Sequence, residues 1–176
     1  DLDSGKRKSI KPSHELGQSP FRFNWQTPIL LSPHNQDVLY LGSNFLHKSI
    51  NQGDDWENIS EDLTKGGKKG NVPYGTITTI SESPITEGVI YVGSDDGIIH
   101  ITKNGGKTWK NISADLPQDL WVSNVYASRS STSFLSFLGF FRRSRRGVFL
   151  LLFHRRRSVG RLGAPSRDGA LPVNLR

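Results

Sequence analysis

A segment of about 50 residues occurs twice in tandem, and this repeat restricts the possible folds more than any other feature of the chain. The run VLYLGS at 38–43 is matched by VIYVGS at 89–94, and NISEDL at 58–63 is matched by NISADL at 111–116. Between the matched runs the second copy is longer, and the extra residues fall at the turn DDG of 95–97. Because a turn is where a repeat tolerates an insertion, we predict consecutive structural units of one kind.

Each copy predicts four short strands, since runs rich in β-branched and aromatic residues are separated by Gly, Asn, Asp and Pro. Four antiparallel strands in about 50 residues make a unit of the size of one propeller blade. Solenoids of paired helices are excluded, because no segment keeps a period of 3.6 residues. The predicted strands lie at 28–31, 38–42, 45–49 and 56–59 in the first copy and at 76–80, 89–93, 98–102 and 109–112 in the second.

The predicted fold class is therefore all-β, a fragment of a β-propeller with two four-stranded blades and the start of a third. The chain begins at Asp1 and contains no Met, so an internal fragment is expected. Since repeat units need neighbours to bury their end faces, we expect the isolated chain to be poorly stable. The expected divisions are a connector over 1–26, blade 1 over 27–65, an inter-blade loop over 66–75, blade 2 over 76–117, the start of blade 3 over 118–128 and an Arg-rich tail over 129–176.

The charge of the chain changes abruptly near Arg129. Residues 1–128 carry 12 Lys and Arg against 15 Asp and Glu, whereas residues 129–176 carry 11 Arg, no Lys and one acid. The formal net charge of +7 is an average over these two unlike parts. The simultaneous loss of Lys, acids and repeat predicts an out-of-frame or disordered tail. A genuine Arg-rich tail that binds nucleic acid or anionic lipid is the less favoured alternative.

Each copy also contains one turn with the pattern S/T-x-D/N-x-G-x-x-W. A short polar side chain at the third position can accept hydrogen bonds from amides of its own turn, and Gly at the fifth supplies a positive φ without steric cost. The Trp then anchors the hairpin by burying apolar surface worth about 2–3 kcal/mol. A structural role is predicted for the residues of both turns, which are Ser49, Asn51, Gly53 and Trp56 in the first copy and Thr102, Asn104, Gly106 and Trp109 in the second.

With two such turns at matching places, the sequence resembles the BNR/Asp-box repeat of sialidases, xyloglucan-degrading hydrolases and sortilin (Vps10)-type propellers. It is most similar to large exported bacterial proteins of the sortilin-like or BNR-repeat type, and the resemblance covers about residues 1–128. The family prefers Asp at the third position of the turn, where both copies here have Asn; the acceptor oxygen is kept, so the turn is expected to form. The resemblance also rests on RFNWQTPI at 22–29, LSPHN at 31–35, YGTITTI at 74–80 and WVS at 121–123.

Residues with catalytic or metal-binding chemistry do not form a recognisable constellation. Glycoside hydrolysis needs two carboxylates about 5–10 Å apart, a metal site needs three or four converging ligands, and the acids at 95–97 lack the spacing of a calcium loop. We therefore predict no catalytic residue, cofactor or metal. The acids considered, expected to be solvated turn residues, are Asp37, Glu61, Asp62, Asp95, Asp96 and Asp115. The histidines, expected to pack, are His34, His47 and His100. The aromatic residues that could stack on a sugar or peptide, but are expected in the core, are Phe23, Trp25 and Tyr74.

The resemblance implies a non-catalytic scaffold or binding propeller, secreted or periplasmic, that recognises a peptide or glycan partner. The alternative is part of an Asp-box glycoside hydrolase, sialidase or xyloglucanase-like, with catalytic residues mostly outside this sequence. Nucleic-acid binding has only the tail in its favour. The longest apolar run, at 148–153, is far shorter than the roughly 20 residues that a membrane-spanning helix needs, so no membrane span is predicted.

Overall fold

The computed structural model describes residues 5, 7–67, 74–113, 116 and 120–129, together with the backbone of two further strands. Every regular element in this described part of the chain is a β-strand. The strands are β1 (Ile29–Leu31), β2 (Leu39–Gly42), β3 (Leu46–Ser49), β4 (Glu57–Asn58), β5 (Ile77–Glu82), β6 (Ile90–Ser94), β7 (Ile99–Thr102), β8 (Lys110–Asn111), β9 (Trp121–Ala127), β10 (Leu135–Phe140) and β11 (Phe149–Phe153).

The strands form three antiparallel sheets in sequence order. The first sheet has the order β1-β2-β3-β4 and the second has the order β5-β6-β7-β8. Equivalent residues pair in the same register, since Tyr40 faces Lys48 in the first sheet and Tyr91 faces Ile101 in the second. All eight strands predicted for the two copies are present, and the predicted all-β class is confirmed. The described residues contain no helix with the length and apolarity needed to cross a membrane.

The first strands of the three sheets run side by side in the same direction. Ahead of β1 and β5, Asn24 Nδ2 bonds to Thr76 Oγ1 at 2.9 Å. At the far ends of the same strands, Ser32 Oγ bonds to Glu82 Oε2 at 2.6 Å, so β1 and β5 run in the same direction. Between the second and third sheets, Thr78, Thr79 and Ser81 of β5 bond in turn to Val122, Val125 and Ala127 of β9. The residue numbers thus increase in the same direction along both strands. Parallel first strands place the beginnings of β1, β5 and β9 at one end of the structure.

Apolar side chains fill both spaces between the sheets. Burial of these residues is the main stabilising term for such a stack. The space between sheets 1 and 2 is filled chiefly by Val38, Tyr40, Leu46, Leu63, Ile77, Ile90 and Val92. The space between sheets 2 and 3 is filled by Val89, Tyr91, Ile99, Ile101, Val122 and Val125.

Glycine in the repeated VLYLGS and VIYVGS runs is explained by this stacking. A Cβ on Gly42 would lie 2.7 Å from Ile77 Cγ2 of the next sheet, and a Cβ on Gly93 would lie 2.4 Å from Val122 Cγ1. Both distances are far shorter than carbon atoms allow. The glycines therefore permit the first strand of each following sheet to approach closely.

The third sheet extends beyond residue 128, where the sequence analysis placed the end of the repeat. It has the order β11-β10-β9, and β10 and β11 lie inside the range expected to be a non-repeat tail. Runs of Phe and Leu favour extended backbone there, and the register of β10 with β9 shifts between Leu138 and Gly139. The rest of the expected tail, 154–176, lies outside the described residues, and its out-of-frame origin stays a prediction.

The expected connector at the N-terminus lies against the free face of sheet 1. We call residues 7–24 the N-terminal strap. Its Phe21 ring lies 4.7 Å from the buried His47 ring, and its Ile10 sits over Gly53, whose Cβ would lie 2.9 Å from Ile10 Cβ. An ion pair between Lys8 and Asp54 joins the strap to the same turn. The strap thus covers part of sheet 1 as well as connecting to it.

Candidate functional site

The first repeated turn is closed by bonds among its own residues. Ser49 Oγ accepts from the amide of Gly53 at 2.8 Å and donates to Asn51 Oδ1 at 2.9 Å. Asn51 Oδ1 also accepts from the amide of Asp55 at 2.9 Å, while Asn51 Nδ2 donates to the Asp55 carboxylate at 2.9 Å. Local side-chain bonds of this kind replace the ladder bonds that a turn cannot make.

The second turn repeats this arrangement with different residue types. Thr102 Oγ1 accepts from the amide of Gly106 at 3.0 Å and donates to Asn104 Oδ1 at 3.0 Å. Asn104 Oδ1 accepts from the amide of Thr108, and Asn104 Nδ2 donates to the Thr108 hydroxyl, both at 2.9 Å. The polar groups of both turns bond inside the turn, which supports the structural role predicted for them; that role itself stays a prediction.

The two turns share a backbone shape that requires two consecutive positive φ angles. In the first turn these belong to Gln52 at 59° and Gly53 at 93°, and in the second to Gly105 at 68° and Gly106 at 97°. A non-glycine residue tolerates a φ near +60° at a moderate cost. The first of the two positions therefore accepts a side chain, as Gln52 demonstrates.

The tryptophans that follow the turns differ in their polar contacts. Trp109 Nε1 donates to the carbonyl of Ile59 in sheet 1 at 2.9 Å and so bridges the two sheets. Trp56 Nε1 is buried without a partner among the described residues, and its ring lies edge-on to His47. His47 Nε2 lies 2.7 Å from the hydroxyl oxygen of Ser43. Burial lowers the pKa of His47 to about 4, so this histidine is neutral near pH 7.

Two adjacent carboxylates, expected from the sequence to be solvated turn residues, are buried in the turn between β6 and β7. Asp95 accepts from the amides of Gly75 and Thr76, both at 2.9 Å, and from Thr76 Oγ1 at 2.7 Å. Asp96 accepts from the amide of Lys65 at 2.6 Å and from the hydroxyl of Ser94. Burial raises the pKa of Asp95 despite these bonds. The expected turn is present, but its acids hold neighbouring segments together.

Asp62 binds the strap to the segment that follows β4. Its carboxylate accepts from Arg22 Nη2 at 2.6 Å, from Thr64 Oγ1 at 2.7 Å and from Asn44 Nδ2 at 3.0 Å. Burial alone would raise the pKa of Asp62, but the bonds from Thr64, Asn44 and Arg22 outweigh it and hold the pKa below its ordinary value. Arg22 Nε also donates to the carbonyl of Gly75 at 3.1 Å, so one guanidinium fixes three segments.

Glu82 is the third buried carboxylate of the described residues, and sequence reasoning did not single it out. It accepts from Ser32 Oγ at 2.6 Å, from Tyr40 Oη at 3.2 Å and from the amide of Gly88 at 3.1 Å. Burial, followed by the nearby Glu82 charge, raises the pKa of Tyr40 far above its ordinary value. Glu82 therefore acts as a polar contact between the first two sheets.

Two tryptophans project at the end where the first strands begin. Trp25 is 83% exposed, so the expectation that it lies in the core is wrong, and Trp121 is 42% exposed. Trp25 follows Asn24, which bonds to Thr76 ahead of β5, and Trp121 opens β9. We call the surface that carries Trp25 and Trp121 the aromatic face. Tyr74 and Phe23, the other aromatic candidates, are half-buried.

The three candidate histidines, all among the described residues, do not gather into a site. His47 is buried beneath Phe21, His100 is half-buried with its pKa lowered by burial, and His34 Nε2 lies 2.8 Å from the carbonyl of Ser83. Within the described residues, no group of three His, Asp or Glu side chains is arranged to hold a metal ion.

Comparison with known proteins gives a sequence relative and a solved structure of similar fold. No family model matches the chain. The vacuolar protein sorting/targeting protein 10 of Emericella nidulans is 31% identical over 103 residues, which is 58% of this chain and 6% of the relative. The crystal structure of the GH74 xyloglucanase from Xanthomonas campestris superposes with a TM-score of 0.50 at 22% identity, over 64% of this chain and 18% of that one.

The chain is built from β-propeller blades. Sheets 1 and 2 are blades 1 and 2, and the resemblance to propellers of the sortilin and xyloglucan-degrading type is confirmed. The blades described here span only a small part of the length of both known proteins.

Proposed function

We propose that this chain is part of a non-catalytic, extracytoplasmic binding propeller that recognises a peptide or glycan partner through the aromatic face. The observation that carries the proposal is the exposure of Trp25 and Trp121 at the same end of the parallel first strands. An indole ring offers a large, rigid contact area with a polar edge, and such rings dominate the binding energy of many interfaces.

The polar network beneath the aromatic face supports a rigid recognition surface. Asn24 bonds to Thr76, and Thr76 in turn bonds to the buried Asp95. Arg22 reaches Asp62 and Gly75 from the same segment. Because these bonds hold the backbone just before Trp25, little conformational entropy is lost there when a partner binds.

The buried carboxylates support a role without catalysis. Glu82, Asp95 and Asp96 each accept hydrogen bonds from backbone amides or hydroxyls of neighbouring segments. A glycosidase instead needs two carboxyl groups that face the same glycosidic bond. The name of the relative refers to protein sorting and targeting, which favours a protein or peptide partner; the neighbour is a xyloglucanase, which keeps the hydrolase as the alternative.

The proposal is tested by titrating the intact chain with xyloglucan oligosaccharides and by selecting binders from a display library of short peptides. We expect Trp25→Ala to weaken binding of the selected probe at least about tenfold, a loss of about 1.4 kcal/mol. Ile85→Ala, which removes another exposed apolar side chain, is the matched control and should leave binding unchanged. Equal binding by both variants would contradict the proposal that the partner binds at the aromatic face. Release of new reducing ends from xyloglucan would favour the alternative, a glycoside hydrolase.

A further inference from the structure

One tripeptide occurs in both copies of the repeat and lies outside the aromatic face. It is Asn-Ile-Ser, at 58–60 in the first copy and at 111–113 in the second. Asparagine followed by any residue except Pro, and then by Ser or Thr, is the acceptor sequence for N-linked oligosaccharides in secreted proteins. The chain contains ten asparagines, and only Asn58 and Asn111 stand in this sequence. Each copy thus supplies one acceptor sequence at the same place.

Both asparagines lie on the outermost strand of a blade. Asn58 is in β4 and Asn111 is in β8, and in the described sheets each of these strands has a neighbour on one side only. Both residues are exposed. An oligosaccharide is bulky and hydrated, so it needs a surface position of this kind. The folded blades therefore leave room for a sugar at each asparagine.

The contacts of Asn111 direct the atom that would carry the sugar away from the blade. Asn111 Oδ1 accepts from the amide of Ser113 at 2.9 Å and from the Ser113 hydroxyl at 2.5 Å. Because a backbone amide can only donate, these bonds fix which end of the carboxamide is the oxygen. Asn111 Nδ2 has no hydrogen-bond partner among the described residues. The carboxamide and the hydroxyl that the acceptor sequence specifies therefore lie together in the folded blade.

Asn58 lies beside an open groove between blades 1 and 2. Asn58 lines the groove on the side of blade 1, and Lys107 and Trp109 line it on the side of blade 2. The hydroxyl of Ser60, the third residue of this acceptor sequence, accepts from the amide of Leu46 at 2.8 Å. The groove gives the first sugar on Asn58 a place to lie without displacing either blade.

The outer strands are separated from the aromatic face by the width of a blade. In blade 1, β4 and β1 form opposite edges of the sheet, and Trp25 precedes β1. Oligosaccharides on β4 and β8 would leave the aromatic face uncovered. Modification of the outer edge is therefore compatible with binding of a partner through Trp25 and Trp121.

We propose that Asn58 and Asn111 are sites of N-linked glycosylation. The inference rests on the proposed function in one respect, which is that the chain is exported. In the transfer, a bond forms between Asn Nδ2 and the anomeric carbon of an oligosaccharide linked to a lipid pyrophosphate. The bond from that carbon to the pyrophosphate oxygen breaks, the lipid pyrophosphate leaves, and the carboxamide loses one proton to a base of the transferase.

The test is the mass of the intact chain expressed with a cleavable signal peptide in eukaryotic cells, before and after treatment with peptide N-glycosidase. We expect a mass above the 19.6 kDa of the polypeptide that falls to about this value on treatment. The glycosidase converts each modified Asn to Asp, which peptide mass spectrometry locates at 58 and 111. Because the transfer acts on the chain before it folds, the retained chain is measured with the secreted one, so a folding defect hides nothing.

Paired variants assign each oligosaccharide to its acceptor sequence. Asn58→Gln and Asn111→Gln should each remove one oligosaccharide, and the double variant should have the polypeptide mass. Ser60→Ala should remove the oligosaccharide on Asn58 although the asparagine remains. Ser60→Thr, the matched control, keeps the hydroxyl and should keep both oligosaccharides.

An unmodified asparagine at 58 or 111 in the wild-type chain would overturn the proposal for that site. Glycosidase-sensitive oligosaccharide on the double variant would also overturn it, since the sugar would then be attached elsewhere. The proposed function is tested separately by the binding of Trp25→Ala. An unmodified chain that binds its probe through Trp25 would refute the glycosylation alone, and a modified chain whose binding is unaffected by Trp25→Ala would refute the aromatic face alone.

Discussion

Replacement of Gly106 by Ala tests how tightly the second turn packs against blade 1. Gly106 has a φ of +97°, and a Cβ there would lie 2.6 Å from the carbonyl oxygen of Ile59 and 2.8 Å from its Cβ. The unfavourable backbone conformation costs about 1–3 kcal/mol, and overpacking adds about 1–3 kcal/mol. We expect Gly106→Ala to lower the free energy of unfolding by about 2–6 kcal/mol. A change of that size is a large part of the stability of a small domain.

The matched control is the neighbouring glycine. Gly105 has a φ of +68°, and a Cβ there meets no atom within 4 Å. Its counterpart Gln52 adopts a φ of 59°, so we expect Gly105→Ala to cost about 1 kcal/mol or less. Urea unfolding followed by tryptophan fluorescence compares the midpoints at equal m-values. Equal losses for the two variants would refute the close packing of Gly106 on Ile59.

Three further results are expected from variants of His47, of Trp56 beside it, and of Trp109, which bonds to blade 1. Because the pKa of His47 is lowered to about 4, the unfolded chain binds the proton more readily, and stability falls as the pH drops from about 6.5 toward 4. Between pH 7 and pH 5 we expect a loss of about 2 kcal/mol that His47→Phe removes, measured by urea unfolding at each pH. Trp109→Phe should lower the free energy of unfolding by about 1 kcal/mol beyond the loss caused by the smaller ring, because the hydrogen bond to the Ile59 carbonyl is lost. Trp56→Phe, which loses a buried N–H without a described partner, should cost less, and the reverse order would contradict these contacts.

The strands were predictable because their signals are local. Short runs of Leu, Ile, Val and Tyr define β2 and β6, Ile alternates with polar residues in β7, and turn residues separate the strands. Because the sequence is repeated, a strand predicted in one copy can be checked against the matching residues of the other. The predicted strands overlap all eight observed strands of blades 1 and 2, with differences confined to the ends. The all-β class follows from the same evidence, since each short strand can bury its apolar side chains only in a sheet.

The burial of Asp95 and Asp96 could not be predicted from the sequence. The motif Asp-Asp-Gly is typical of an exposed hairpin turn, and the turn does form. The carboxylates are buried because the segment around Gly75 and Thr76 folds over them and donates its amides. That segment is about 20 residues away in sequence, and the pairing of β5 with β6 brings it there, since Ile77 pairs with Ser94. The same dependence on distant contacts explains why Trp25 was wrongly placed in the core.

The asparagine at the third position of each turn differs from the family preference for aspartate, and the contacts give a physical reason in the first turn. Asn51 Nδ2 donates to the carboxylate of Asp55, so an aspartate at 51 would lose this bond and face a like charge. In the second turn the partner of Asn104 Nδ2 is the hydroxyl of Thr108. A hydroxyl can rotate and donate its proton to a carboxylate, so an aspartate at 104 would keep a hydrogen bond.

We therefore expect the same substitution to have unequal effects in the two turns. Asn51→Asp should destabilise the chain by about 1 kcal/mol near pH 7, and the loss should shrink in high salt, where exposed charges are screened. Asn104→Asp should change stability by less than about 0.5 kcal/mol. Urea midpoints at low and high salt measure both. If the two substitutions had equal effects at low salt, the residue opposite the asparagine would not explain its choice, and the departure from the family pattern would need a cause outside the turn.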